Sequence, residues 1–112
     1  MNSQEIAKIA HKAHRAYCKS IGHKTQPKWK DLTEDHKSVI TTSVYMIKKG
    51  AIKTQQQSHN RFVKSKIANG WKYGQEYCPK KKTNPRLVGF KDLSLEDRTK
   101  EMIFFTVVKN NI

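Results

Sequence analysis

The sequence predicts a mainly α-helical fold, about four helices with a small β-hairpin. Three observations point there. Apolar residues recur at helical spacing in four segments, each opened by a capping residue, and three of them end at glycine. One short stretch, Trp71-Lys72-Tyr73, alternates with the period of a strand instead. Finally, the chain echoes itself: KTQPKW and KDLTEDHK (24–37) stand beside KTNPRL and KDLSLEDRTK (82–100). Thr25, Gln26 and Pro27 match Thr83, Asn84 and Pro85. Lys30, Asp31, Leu32 and Thr33 match Lys91, Asp92, Leu93 and Ser94, with a short insertion in the second copy. The chain therefore reads as two imperfect helix–basic loop–helix halves in a single domain over residues 1–112.

Residues 3–21 form the first predicted helix, with Ser3 as N-cap and Gly22 just past its end. Its apolar stripe is Ile6, Ile9, Ala10, Ala13, Tyr17 and Ile21. A basic loop, residues 22–32, carries Pro27 and Trp29. The second helix starts after Thr33, with Glu34 and Asp35 at its positive end. Val39, Ile40, Val44, Met46 and Ile47 make its apolar face, and Gly50 closes it. The β-branched run VITTSV fits a strand too, but the acidic first turn and closing glycine favour helix. Residues 50–57 are a polar connection. Ser58 or Thr54 opens a third helix, with Phe62, Val63 and Ile67 inward and Gly70 at its end. The hairpin follows: Trp71 and Tyr73 go out, residues 79–85 turn, and Leu87, Val88 and Phe90 return. Pro79 and Pro85 confine it to edge or loop geometry. Ser94 with Asp97 opens the last helix, Leu95 to about Lys109, read as the most buried because apolar residues cover more than one face.

Lys and Arg number 23 against 9 Asp and Glu, a formal net charge of +14. So large a charge repels itself and points to an anionic partner: nucleic acid, a nucleotide, a phosphate metabolite or an acidic protein. The plain alternative is a lysine-rich solubilising surface. Two cysteines, Cys18 and Cys78, do not make a disulfide scaffold. No apolar run reaches membrane-spanning length and the N-terminus has no apolar leader core, so the expectation is a cytoplasmic protein with no membrane partner.

GWKYG (70–74), the lysine-rich turn ending KTNP (82–85), Leu87-Val88, Phe90 and Asp92-Leu93 resemble the RyR domain, the repeat first described in ryanodine receptors. AHRAYC (13–18), QPKW (26–29) and Ser58-His59 resemble its stand-alone bacterial and phage form. Asn84 departs from the pattern, standing where the family usually has His; an amide still donates and accepts hydrogen bonds. The resemblance implies paired repeats related by approximate two-fold symmetry, with regulatory binding of nucleotides or small molecules and no catalysis. It also implies that a lone copy restores the pair as a homodimer or higher homo-oligomer, and that phage members sequester nucleotide-derived signals.

Four constellations carry chemistry. In the first, Trp29, Trp71 and Tyr73 offer faces to a base. Lys24, Lys81, Lys82 and Arg15 meet phosphate, and Gln26 and Asn84 read polar edges. Thr83 joins Asn84 in the loop and His59 joins through the resemblance. Against this, Trp71 and Tyr73 also serve as scaffold, and Trp71 reads as scaffold first. In the second, His11, His14 and Cys18 share one side of the first helix. The spacing of His14 and Cys18 suits a metal, but no second pair completes a ligand set, so no cofactor is expected and these residues line the site instead. Third, His14, His36 and His59 among lysines raise a small basic ribonuclease, but nothing pairs them, and no enzyme is expected. Fourth, the charge with interleaved aromatics is compatible with direct nucleic-acid binding. The leading expectation is a non-enzymatic protein that binds a phosphate-bearing nucleotide or nucleotide-derived messenger, in a phage an anti-defence sponge. A basic nucleic-acid-binding accessory protein is the alternative.

Overall fold

A computed structural model describes all residues, 1–112. Four helices follow one another: α1 (Ser3–Ser20), α2 (Glu34–Lys48), α3 (Gln55–Ala68) and α4 (Leu95–Asn110). A single 3₁₀ turn precedes α2 at Trp29–Asp31, and another precedes α4 at Phe90–Asp92. None of the helices is long and apolar enough to cross a membrane.

Local chemistry sets most of the boundaries. Asn2, not Ser3, caps α1: its side chain accepts from the Glu5 amide at 2.8 Å while Glu5 returns to the Asn2 amide at 2.9 Å, a complete capping box. Thr33 and Ser94 cap α2 and α4 as their sequence contexts predict. Thr54 caps α3, so Gln55, Gln56 and Gln57 are its first turn rather than part of a connection. The helical reading of VITTSV holds. Gly22, Gly50 and Gly70 take positive φ just beyond α1, α2 and α3, where a side chain would be strained.

The core lies where α1 packs against α2 and α4. Ile6, Ala7 and Ala10 of α1 meet Val44 and Ile47 of α2, Ile52 after it, and Val108 of α4. Ala7 and Ala10 let the neighbouring helices approach closely. Ile9 of the predicted stripe faces out at 40% exposure, and Ile67 of α3 at 58%. In α4 the prediction inverts: Leu95 and Met102 are exposed, whereas Asp97, Lys100 and Glu101 are buried.

The two halves repeat in three dimensions. His11 of α1 donates through Nε2 to the Pro27 carbonyl at 2.8 Å and stands edge-on to Trp29. His59 of α3 donates through Nε2 to the Val88 carbonyl at 2.7 Å and packs against Phe90. In each half the aromatic opens a 3₁₀ turn, a buried leucine follows (Leu32, Leu93), and then the helix cap. This geometry equates Pro27 with Val88, so the KTNP segment belongs to a longer excursion peculiar to the second half.

That excursion is not a β-hairpin. Lys72 and Cys78 each form one isolated bridge to Thr83, the first parallel and the second antiparallel. Pro79 and Pro85 offer no amide to a ladder, and Lys82 turns the chain with φ 54°. Three short segments converge on Thr83 instead, and Gly74 makes room for its side chain.

Candidate ligand-binding cleft

All four helices and two of the three connections, α1–α2 and α3–α4, meet at one cleft, with a cavity of about 110 Å³. His11 and His14 reach it from α1, His36 and Ile40 from α2, Phe62 and Lys66 from α3, and Lys100, Glu101 and Phe104 from α4; Gln26, Asn84 and Arg86 arrive from the loops. Both members of several repeat-related pairs line it: His14 with Phe62, Ile40 with Glu101, Ser43 with Phe104.

Glu101 is the electrostatic anchor. Its Oε1 accepts from Arg86 and lies 3.0 Å from His59 Nδ1. Both ring nitrogens of His59 therefore face acceptors, Glu101 and the Val88 carbonyl, and a doubly protonated ring satisfies both. Burial opposes that charge, but the two hydrogen bonds outweigh it and raise the His59 pKa. Burial likewise opposes the Glu101 carboxylate, yet Arg86 and then His59 hold it down to about 2. Arg86 is steadied by the Phe62 ring, 4.4 Å from its guanidinium carbon.

Other polar atoms in the cleft have no counterpart. His14 Nε2 and Arg86 Nε are buried without a hydrogen-bond partner. His14 Nδ1 has only the Cys18 thiol, 3.9 Å away. Burial, reinforced by Arg86 and Lys100, lowers the His14 pKa to about 3, and burial with Lys66 lowers His36 to about 4. Lys66 forms no ion pair; its ammonium lies 4.4 Å from the Trp71 ring centre, and burial and then Arg86 lower its pKa. Asn84 is buried, its Oδ1 taken by the Arg86 amide at 2.9 Å, which leaves its side-chain NH₂ toward the cleft. Lys100 is already committed to Asp97 and His23.

Of the residues singled out in the sequence, Gln26 and Asn84 line the cleft, as do His11 and His14 of the α1 cluster. His59 lies just behind it, holding Glu101. Trp71 stacks on Tyr77 and covers Lys66, a scaffold role. Lys82 donates to the Asn69 carbonyl at the end of α3, and Thr83 to the Glu76 carbonyl. Tyr73 and Lys81 are exposed and line neither the cleft nor the groove below. Arg15 and Trp29 line a different groove on the far side of His11. The repeat and the basic turns were visible in sequence; Lys66, Arg86, Lys100, Glu101 and Phe104 were not singled out. Their one signal was a pair of charges, Lys100-Glu101, on the core side of an apolar helix.

Comparison with curated proteins gives no match. The family model of the RyR domain matches residues 46–108, from the end of α2 to the last turns of α4. That span holds the His59–Glu101–Arg86 anchor and more than half of the chain, which belongs to the RyR domain family.

Proposed function

We propose that the protein binds a phosphate-bearing nucleotide or nucleotide-derived signalling molecule in this cleft, without transforming it. The observation that carries the reading is an unmet polar set in one cavity: His14 Nε2 and Arg86 Nε are buried without a hydrogen-bond partner, and the half-buried Lys66 beside them has no ion-pair partner. A buried donor left unsatisfied costs about 1–3 kcal/mol, and an anionic ligand would remove that cost at several positions together. A phosphoryl group supplies acceptor oxygens to both Lys66 and Arg86. Phe104 offers an apolar face, and Gln26 and Asn84 offer amides to polar edges. The cavity holds part of such a ligand, with the rest at the mouth.

Three titratable groups of the cleft are ill suited to moving protons at neutral pH, which supports binding. Glu101 is fixed as a carboxylate and His14 and His36 as neutral rings well away from neutral pH. General acid–base chemistry works best with a group poised near the working pH, and these three are held far from it. In a phage, such a protein would act by sequestering a messenger of host defence.

A thermal-shift panel of nucleotides, cyclic dinucleotides, ADP-ribose derivatives and short oligonucleotides tests the reading. A bound ligand at a hundredfold its Kd stabilises the native state by about 2.7 kcal/mol. The expected result is a rise in Tm with selected phosphate-bearing ligands, lost in Lys66→Gln. A flat response to every nucleotide, with a shift only on adding DNA, overturns it.

A further inference from the structure

The cleft leaves unexplained a second cationic feature. Lys8, Lys12 and Arg15 of α1, with Lys28 and Lys30 on either side of Trp29, line a groove of about 370 Å³ that contains no acidic residue. None of these five cations takes part in an ion pair; the four salt bridges of the chain lie elsewhere. Arg15 is held by its Nε, which donates to the Gln26 carbonyl at 2.8 Å, so its terminal nitrogens remain for a partner.

The second half acts as an internal control on what the fold requires. The equivalence of His11 with His59 and of Trp29 with Phe90 places Gln56, Asn60, Val63 and Gly89 where the first half has Lys8, Lys12, Arg15 and Lys28. Lys30 alone keeps its charge there, as Lys91; the same helix, 3₁₀ turn and histidine-to-carbonyl hydrogen bond form without the other four cations. Lys8, Lys12, Arg15 and Lys28 are therefore not part of the architecture. Clustered like charges destabilise a fold, so their concentration in one half points to an anion.

We propose that this groove is a separate site for the phosphate backbone of single-stranded nucleic acid. Lys8, Lys12 and Arg15 lie on one side of α1 in a row about 10 Å long, which spans about three phosphates at the ~3.4 Å rise of a stacked strand. A row of cations matches a row of phosphates, whereas a mononucleotide calls for convergent groups. Trp29, half-buried against the core and His11, turns the rest of its ring to the same groove between two lysines, the combination of stacking face and charge that single strands use. A duplex keeps its bases enclosed and would leave that ring unused.

The test is fluorescence anisotropy of a labelled short single-stranded oligonucleotide on the full chain across a salt series. A groove variant, Lys8→Gln/Lys12→Asn/Lys28→Ser, borrows neutral residues in the manner of the second half. A control variant of equal charge, Lys64→Gln/Lys91→Gln/Lys109→Gln, alters exposed lysines outside the groove. The groove variant should lose at least about tenfold in affinity and flatten the slope of log K against log salt by about 2, from roughly 0.7 per phosphate contact; the control should change little. Equal losses in both variants, no binding by the parent chain, or equal affinity for duplex or inorganic polyphosphate would each overturn the proposal. Mononucleotide-induced shifts in Tm report on the cleft and should survive in the groove variant, so the two sites fail independently.

Discussion

Glu101 is the buried counter-ion of Arg86 and also pairs with His59, and removing its charge strands the guanidinium. Glu101→Gln is expected to destabilise the protein by about 3–5 kcal/mol, read as a lower urea midpoint. His14 produces a different signature. Its folded pKa is near 3 against an ordinary 6.5, so between those values the unfolded chain binds the extra proton. Stability therefore falls as pH drops below about 6.5, by about 1.4 kcal/mol per pH unit from this ring, and His36 adds in the same direction. His14→Phe, which copies Phe62 of the second half, should flatten the fall in Tm between neutral and acid pH. His59 works the other way: its raised pKa stabilises the fold at low pH, and that contribution is lost as pH rises through the folded value. Gln26, Asn84 and His14 were legible as site residues because a polar loop or helix face announces them. Arg86 and Glu101 were not, because each is defined by a partner far along the chain.

Helix caps and terminating glycines are local, and they were read from sequence to within a residue or two, except at α3, whose start was left between Thr54 and Ser58. Asn2→Ala should cost about 1 kcal/mol through loss of the capping box, measured by urea denaturation. The excursion in the second half is governed by contact instead of propensity. A Cβ on Gly74 would lie 2.6 Å from Thr83 Cβ, where the Lys72 and Cys78 segments also converge. Gly74→Ala is thus expected to cost about 1–3 kcal/mol, the range for overpacking, and to lower Tm although the position is not in the main core. A strand-like alternation of Trp71 and Tyr73 misled here, since period alone does not show whether a partner strand exists. The α4 helix failed for a related reason. Its apolar residues surround it in sequence, but α4 borders the cleft, and Lys100 and Glu101 take the inner side while Leu95 faces solvent.

Across the whole molecule the charge of +14 sets a background of self-repulsion that any bound anion relieves. Phosphate should raise Tm more than chloride does at equal ionic strength, and Lys66→Gln should remove part of that difference while leaving general screening intact. The repeat itself was legible, since KDLT and KDLS mark it, but its register was not. The two histidine-to-carbonyl hydrogen bonds, with the matching 3₁₀ turns, show that Pro27 answers Val88, not Pro85. Two matched halves closing on one cavity would, if identical, present a ligand with the same surroundings from either side. It could then enter in two equivalent orientations. Here the related positions hold His14 against Phe62, Ile40 against Glu101 and Ser43 against Phe104. One flank carries an imidazole, an aliphatic chain and a hydroxyl, the other a carboxylate and two phenyl rings. Divergence of the copies has given the cavity a head and a tail, so a molecule with unlike ends has one way in.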